Sequence, residues 1–401
     1  MEFKKEQLRI INNAYNHIHY SSRQVYQFAG KAGTGKTEVL KEIIRRSGIP
    51  LSRIAIMTYI GQAAIVLRTR GLYSARTIHS TMYELVETTK RDANGNIVMN
   101  PIYNVPEVDL RFAPRDLSDI DLFIIDEART TPMSLKKDIE AYGKKIIACG
   151  DWRQLPPVND EPAYIRDQDI YDMDLLTTVV RQGKGSSILY IADLLAEGNT
   201  VSTGYYGDSL VIERKDLTDD MIRASQIIVC GTNKTRDYYN RYIRNNILHI
   251  NTRIPMMGEK IICRKNNWGR EVAGISLANG LIGTVISPPD PTLFDGKTFT
   301  IDFKPDLLNS YFDNIKCDYE YFTAPVEQRN FLKNSKYNTG DKFEFAYAIT
   351  SHLSQGAQYQ CGIYIQDIFP DRSIQKNLDY TGVTRFSKQL IFAVPNRRSF
   401  F

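Results

Sequence analysis

The chain has 401 residues, enough for two to four packed units, and a net charge of +5, which is compatible with a polyanionic partner. No stretch approaches the roughly 20 apolar residues of a membrane span. The polar, amphipathic start MEFKKEQLRIINNAY lacks the apolar core and small-residue cleavage site of a secretory signal. The five cysteines, Cys149, Cys230, Cys263, Cys317 and Cys361, are scattered and form no CxxC. That pattern argues against a disulfide framework, a zinc site or an iron–sulfur cluster, and points to a reducing cytoplasm. Tyrosine and phenylalanine are plentiful; most belong in cores, but a single-strand groove also needs such stacking surfaces.

Along the chain, Gln24–Ala29, Arg53–Thr58, Asp121–Asp126 and Lys145–Gly150 read as short strands that end in a turn or an acid. The stretch Glu38–Arg46 between the first two is amphipathic, with Val39, Leu40, Ile43 and Ile44 on one face. Strands alternating with helices predict an α/β fold with a parallel sheet covered on both faces. After His79 the rhythm breaks. In residues 85–102 two extended runs flank Asn94-Gly95, which predicts a hairpin with its arms inside Thr88–Met99. A second α/β unit begins near Thr177, with strands at Ile227–Cys230, Gly362–Ile365 and Leu390–Val394. Residues 252–344 interrupt it with short β runs such as Thr284–Ser287 and Thr298–Phe303, predicting a small all-β insertion. No internal repeat recurs at a fixed period.

The segment Gly30-Lys31-Ala32-Gly33-Thr34-Gly35-Lys36-Thr37 fits GxxxxGK[ST] between a strand and a helix. Its glycines let backbone N–H groups turn inward around phosphate oxygens, and the helix N-terminus adds its dipole. Lys36 is expected on the β- and γ-phosphates of ATP, and the Thr37 hydroxyl on Mg²⁺. The apolar run Leu122–Ile125 delivers Asp126, a second oxygen for Mg²⁺, and Glu127, a candidate general base. Gln154 in Gly150–Val158 can both donate and accept, which suits a sensor between γ-phosphate and water. In an open parallel sheet these strand ends share one edge. No His/Cys/Asp cluster has metal-ligand spacing, and His17, His19 and His249 have no motif around them.

In this order and context the motifs resemble those of the superfamily 1B helicases of the RecD and Dda type, over residues 5 to 395. Gln7 resembles the family's adenine-reading glutamine. Thr58–Ala64 and Ala75–His79 are similar to its two strand-contacting motifs, which points to Tyr59, Gln62, Thr77 and His79 as nucleic-acid contacts. Gly150–Val158 matches QLPPV. Val180-Arg181-Gln182 resembles the first arginine motif of the second core. Tyr347–Gly356 resembles YAxTxHKSQG and brings Thr350 and His352 to the strand. Tyr380–Arg385 resembles YTAVTR. A lone P-loop would not be specific; QLPPV with the last two motifs is. The resemblance implies two RecA-like cores with ATP in their cleft and Arg181 and Arg385 as arginine fingers.

The expected layout places a first core at 1–80 and 118–176, with a hairpin-bearing insertion at 81–117. The second core spans 177–251 and 345–401, with an SH3-like insertion at 252–344. The implied activity is ATP-dependent 5′ to 3′ movement on single-stranded DNA with unwinding of forked DNA. The expected form is a monomer in a bacterial or phage-infected cell, meeting replication or repair proteins and no membrane. A translocase that strips proteins, an RNA-directed enzyme and a non-motor P-loop kinase are the alternatives. The sequence departs from the family at Tyr59-Ile60 for proline–threonine, at Gln62 and Leu353 for basic residues, and at Gly382 for alanine.

Overall fold

The computed structural model describes residues 2–92, 94–99, 106, 108–180, 186–287, 289–290, 292, 294–333 and 340–396. Arg181 and Gln182, and Ala93 and residues 100–105 of the expected hairpin segment, lie outside them.

Short apolar strands form a six-stranded sheet. Its order is Arg76–Thr77, Ile54–Thr58, Leu122–Asp126, Lys145–Gly150, Val25–Gly30, Asp174–Leu176. All neighbours are parallel. Ile54–Thr58 and Leu122–Asp126 are buried along their whole length, as a sheet covered on both faces requires. On one face Val39, Leu40 and Ile43 of the helix Lys36–Ser47, with Ile10 and Ile11 of the helix Lys5–Tyr20, pack on Phe28, Ile56, Ile124 and Ile147. Ile78, Met82 and Ile139 cover the other face. Because every strand runs the same way, Gly30, Thr58, Asp126 and Gly150 finish at one edge.

The second sheet has the order Ala348–Thr350, Ile228–Cys230, Tyr359–Ile365, Phe386–Val394, Ser209–Glu213, Gly204–Tyr206. Its pairs are parallel except the last, a hairpin on the edge. Two RecA-like α/β sheets are therefore present, as the motif order implied. Between Ile228–Cys230 and Ala348–Thr350 the chain builds a five-stranded antiparallel sheet from Lys260–Cys263, Ile282–Ser287, Thr298–Pro305, Phe312–Asp318 and Phe343–Phe345. A two-stranded ribbon, Asn267–Val272 with Ile275–Leu277, leans from it onto the first sheet's helix Gly61–Thr69. There Ala64 and Ile65 share a cluster with Ile275 and Leu277, and Arg68 donates to the carbonyls of Ala273 and Gly274.

The hairpin differs from the sequence expectation. Its ladder pairs Tyr83–Thr89 with Val108–Pro114, so the arms begin at Tyr83 rather than at Thr88. Asn94-Gly95 turns only the tip, where Arg91 bridges Ile97. The reason is anchoring. Tyr83 meets Phe112 edge-on, and Leu85 pairs with Phe112 across the ladder, so apolar pairs at the root set the register. The turn dipeptide dictates only its own neighbourhood.

Gly382 has a structural explanation. A Cβ there would stand 2.2 Å from the ring of Tyr364 and 3.0 Å from Ser351 Oγ, so the tyrosine ring fills the space that the family alanine would need. Gly382→Ala should lower stability by about 1–3 kcal/mol through overpacking. Chemical denaturation of the two proteins checks it; equal midpoints would show that the ring yields freely.

Candidate active site

The P-loop geometry follows from its glycines. Gly33 and Gly35 have φ of 79° and 84°, a region that other residues enter at a cost. A Cβ on Gly30 would stand 2.7 Å from Thr34 Oγ1 and 2.9 Å from Leu176 Cβ, so that position is closed to any side chain. Lys36 Nζ donates to the carbonyls of Gly30 (2.7 Å) and Lys31 (3.1 Å) and lies 4.0 Å from Asp151 Oδ2. Gln7 is buried. Its Nε2 donates to Thr34 O at 3.0 Å and its Oε1 accepts from Lys4 N at 2.9 Å, which ties the first helix to the loop. Lys31 reaches away from the loop to Asp193 at 3.1 Å.

One pocket is lined by Lys36, Thr37, Asp126, Glu127, Gln154 and Arg385, so the structure brings five sequence-predicted groups of the first core together with one of the second. Asp126 is 7% exposed, and its Oδ1 accepts from Glu127 N (2.9 Å) and Cys149 Sγ (3.0 Å). Glu127 is left-handed at φ 50°. Burial pushes its carboxyl above the ordinary glutamate range, Asp126 and Asp151 add to the rise, and Arg385 and Lys36 oppose it. Gln154 is buried, and its Oε1 has no partner among the described residues, an acceptor still to be satisfied. Arg385 is 4% exposed. It donates to Thr381 O (2.9 Å), Ala357 O (3.4 Å) and Thr384 Oγ1 (3.2 Å), so its charge meets neutral oxygens rather than a carboxylate.

No group of three His, Cys, Asp or Glu side chains that could hold a metal exists among the described residues. Thr37 and Asp126, a hydroxyl and a carboxylate in one pocket, are nonetheless the hard oxygen donors that suit Mg²⁺. Such an ion takes its remaining ligands from water and phosphate.

Sequence reading missed several polar contacts across the seam between the sheets. Tyr380 donates to Asp151 Oδ2 at 2.8 Å and accepts from the P-loop N–H of Ala32 at 3.0 Å. Thr381 Oγ1 accepts from Leu155 N at 2.9 Å, and Gln355 Nε2 donates to Leu155 O at 2.7 Å. Tyr380, Thr381 and Gln355 all sit inside motifs already noted, so their positions were visible and their partners were not. Arg70, which lies in none of these motifs, donates to Thr37 Oγ1 at 3.1 Å.

The predicted strand contacts divide. Tyr59 is exposed and His79 is half-buried, and both belong to an aromatic cluster. In it the His79 ring stacks on Trp268 at 5.1 Å and lies 5.9 Å from Tyr59 and 5.8 Å from Tyr83, while Phe112 meets Trp268 edge-on at 5.9 Å. Trp268 comes from the β insertion and was not foreseen. Burial lowers the pKa of His79 and of half-buried His352, which favours neutral rings. Three other expected contacts have buried side chains. Gln62 is 4% exposed; Thr77 caps the next helix through Ser80 N at 3.1 Å; Thr350 is 6% exposed, with its hydroxyl toward Leu353 N. Thr77 and Thr350 end their strands and their hydroxyls accept from the backbone N–H three residues on, whereas Gln62 lies on the helix Gly61–Thr69 and its Oε1 has no partner among the described residues.

A family profile described as "AAA domain" matches residues 4–216. The chain belongs to this AAA domain family. An uncharacterized protein of Methanocaldococcus jannaschii is 24% identical to it over 91% of the chain, and the ATP-dependent DNA helicase PIF1 of Trypanosoma brucei brucei is 25% identical over 58%. The chain spans 36% of the first relative's length and 23% of the second's. Among solved structures, one described as two coordinating Pif1 helicases at forked double-stranded DNA covers 98% of this chain and 92% of its own, with TM-score 0.56 and 16% identity. The AAA domain chain thus has the fold of the superfamily 1B helicases that its motifs resemble.

For this AAA domain pocket, with Glu127 as the expected general base, the raised carboxyl would set a pH limit. A base must be ionised, so nucleoside triphosphate turnover should then fall as pH drops through a value above the ordinary glutamate range of about 4.3. Glu127→Gln should retain nucleotide binding and lose turnover at every pH. Steady-state rates between pH 5 and 8, with nucleotide binding measured alongside, check both. Lost nucleotide affinity in Glu127→Gln would make the residue structural.

Proposed function

We propose that the chain is an ATP-driven motor that tracks 5′ to 3′ along single-stranded DNA and opens duplex at a fork. The observation that carries this reading is the shared pocket, in which Lys36, Asp126 and Glu127 from one sheet face Arg385 from the other. Phosphoryl transfer needs positioned charge more than covalent chemistry. The P-loop amides and Lys36 hold the phosphates, with Gln7 at the adenine edge. Thr37 and Asp126 would hold an Mg²⁺, which supplies charge neutralisation at the phosphate oxygens. Glu127 takes the proton of the attacking water, Gln154 orients that water, and Arg385, joined by Arg181, meets the charge that develops on the transferred group. Arg385 comes from the opposite sheet, so hydrolysis and the spacing of the two cores are linked.

The strand would run over the cores past Tyr59, His79 and Trp268, where stacking on aromatic faces is tolerant of sequence and backbone contacts make binding salt-sensitive. In this reading residues 1–80 with 118–176 and 177–251 with 345–401 are the moving cores, and 252–344 is the SH3-like accessory domain. The ribbon within 81–117 is the wedge. Its tip supports that role by stiffness: Asp92 Oδ1 accepts from Asn94 N (2.8 Å) and Asn96 N (2.9 Å), and Arg91 donates to Gly95 O at 2.8 Å. The Trypanosoma relative is named as a DNA helicase, and the structure of like fold concerns DNA unwinding at a fork; both agree with this function.

Lys36→Ala should abolish strand-stimulated ATP hydrolysis and leave strand binding intact, as read by phosphate release and fluorescence anisotropy. Replacing Ala93–Asn96 by a short glycine link should leave strand-stimulated hydrolysis near the parent value. Unwinding of a fork with a 5′ tail should drop sharply, since each step must overcome about 1.4 kcal/mol of stacking. A trimmed protein that unwinds like the parent removes the wedge. A parent that walks without unwinding is a translocase, and one stimulated by RNA rather than DNA has a different track.

A further inference from the structure

Arg70 follows the helix Gly61–Thr69 and closes it, its N–H bonded to Leu67 O at 3.1 Å. Its half-buried side chain enters the P-loop pocket, where one guanidinium nitrogen donates to Thr37 Oγ1 at 3.1 Å. The other terminal nitrogen donates to Gln358 Oε1, on the second core beyond the SQG motif. Arg70 also lines the adjoining opening, between Gln7, Gly35 and Val180, so it stands between the two approaches to the loop. Both of these partners, the Thr37 hydroxyl and the Gln358 amide, are neutral. A forked cation in this place has the geometry to grip a phosphate and an amide at once.

We propose that Arg70 is a positioning residue that reports the loaded triphosphate to the strand-facing end of its helix. The proposal rests on the motor reading above. Thr37 can offer its oxygen to Mg²⁺ only by giving up Arg70, since two cations on one hydroxyl repel. The released guanidinium keeps Gln358 and turns to the terminal phosphate. The helix that carries it begins at Gly61, beside Tyr59, and its nine residues form a rigid rod of about 13 Å. Ala63 on that rod is held against Gly356, where a Cβ would stand 2.6 Å from Ala63 Cβ. A shift of Arg70 therefore reaches the strand motif and the SQG turn together.

The test uses the full chain with a fluorescent ADP and a non-hydrolysable ATP analogue, each titrated in Mg²⁺ and in EDTA. The affinity of an oligo-dT strand is measured in every state. In Mg²⁺, Arg70→Ala should bind the ATP analogue about tenfold more weakly, the loss of one charge-assisted bond, with ADP affinity changed less than about twofold. In EDTA the difference should shrink. Arg70→Lys should recover much of the ATP-analogue affinity, but the nucleotide-dependent change in strand affinity should stay lost, because an ammonium cannot bridge phosphate and Gln358. Gln358→Ala should lose the same coupling with triphosphate affinity kept. Equal weakening of ADP and ATP analogue in Arg70→Ala, or no weakening of either, overturns the proposal. If the wild-type protein binds neither nucleotide, the motor reading falls and takes this one with it.

Discussion

The buried hydroxyl of Tyr380 joins two halves that are separate in sequence. It donates a hydrogen bond to Asp151, just past the end of one strand of the first sheet, and accepts one from the Ala32 N–H of the P-loop. Burial and the neighbouring Asp151 carboxylate hold the phenol far above its ordinary pKa, so it stays a donor. Asp151 in turn lies 4.0 Å from Lys36. The residue that leads into Thr381 and Arg385 is thereby fixed to the loop that cradles phosphate. The contacts Lys31–Asp193, Thr381–Leu155 and Gln355–Leu155 join the two halves beside it. In the proposed reading, a hydrolytic site assembled across a seam would depend on the distance between its halves, which is the dependence a motor needs.

The helix Gly61–Thr69 runs from beside Tyr59 to Arg70 at this seam. Tyr59, His79 and Trp268 form one surface although they come from three places in the chain. A neutral, partly desolvated imidazole stacked on an indole presents a face rather than a charge. In the proposed reading such a face would meet bases of any identity, and ring area would stand in for the hydroxyl contact that the family's proline–threonine provides at Tyr59-Ile60. Arg68 reinforces the arrangement by binding the turn Ala273-Gly274, so Trp268 is held against His79 by its own ribbon.

Legibility in the sequence followed locality. The P-loop and Asp126-Glu127 are contiguous, each glycine and acid is required by the backbone around it, and the strands that bear them were read to within a residue or two. The two sheets and the β insertion were legible for the same reason, since periodicity and turn residues act over a few positions. Arg70 was not, because its importance lies in Thr37 and Gln358, at separations of 33 and 288 residues. Trp268 was not, because stacking on His79 is a tertiary event. Gln62, Thr77 and Thr350 were placed on the strand by motif likeness, and their burial is a tertiary fact that motif likeness does not carry. Gly382 was read as a departure, and only the ring of Tyr364 reveals its compensation.

The energetics of the seam differ from those of the cores. The contacts at Tyr380, Thr381, Gln355 and Arg70 are hydrogen bonds, worth about 0.5–1.5 kcal/mol net where both partners are neutral and about 1.5–3 kcal/mol where Asp151 or Arg70 brings a charge, because water can replace either partner. The apolar clusters lie within each sheet's own layers; of the P-loop only Ala32 touches the second core's cluster. The β insertion is held differently. Ile275 and Leu277 bury against Ala64 and Ile65 of the first core, and Ile262 and Ile282 belong to the second core's cluster. Each such side chain gains about 1.5–3 kcal/mol from burial, which water cannot return. In the proposed reading, separation of the cores would break the polar seam at less cost than the apolar contacts of the insertion. The insertion would then be the pivot of that motion, with Trp268 kept beside His79.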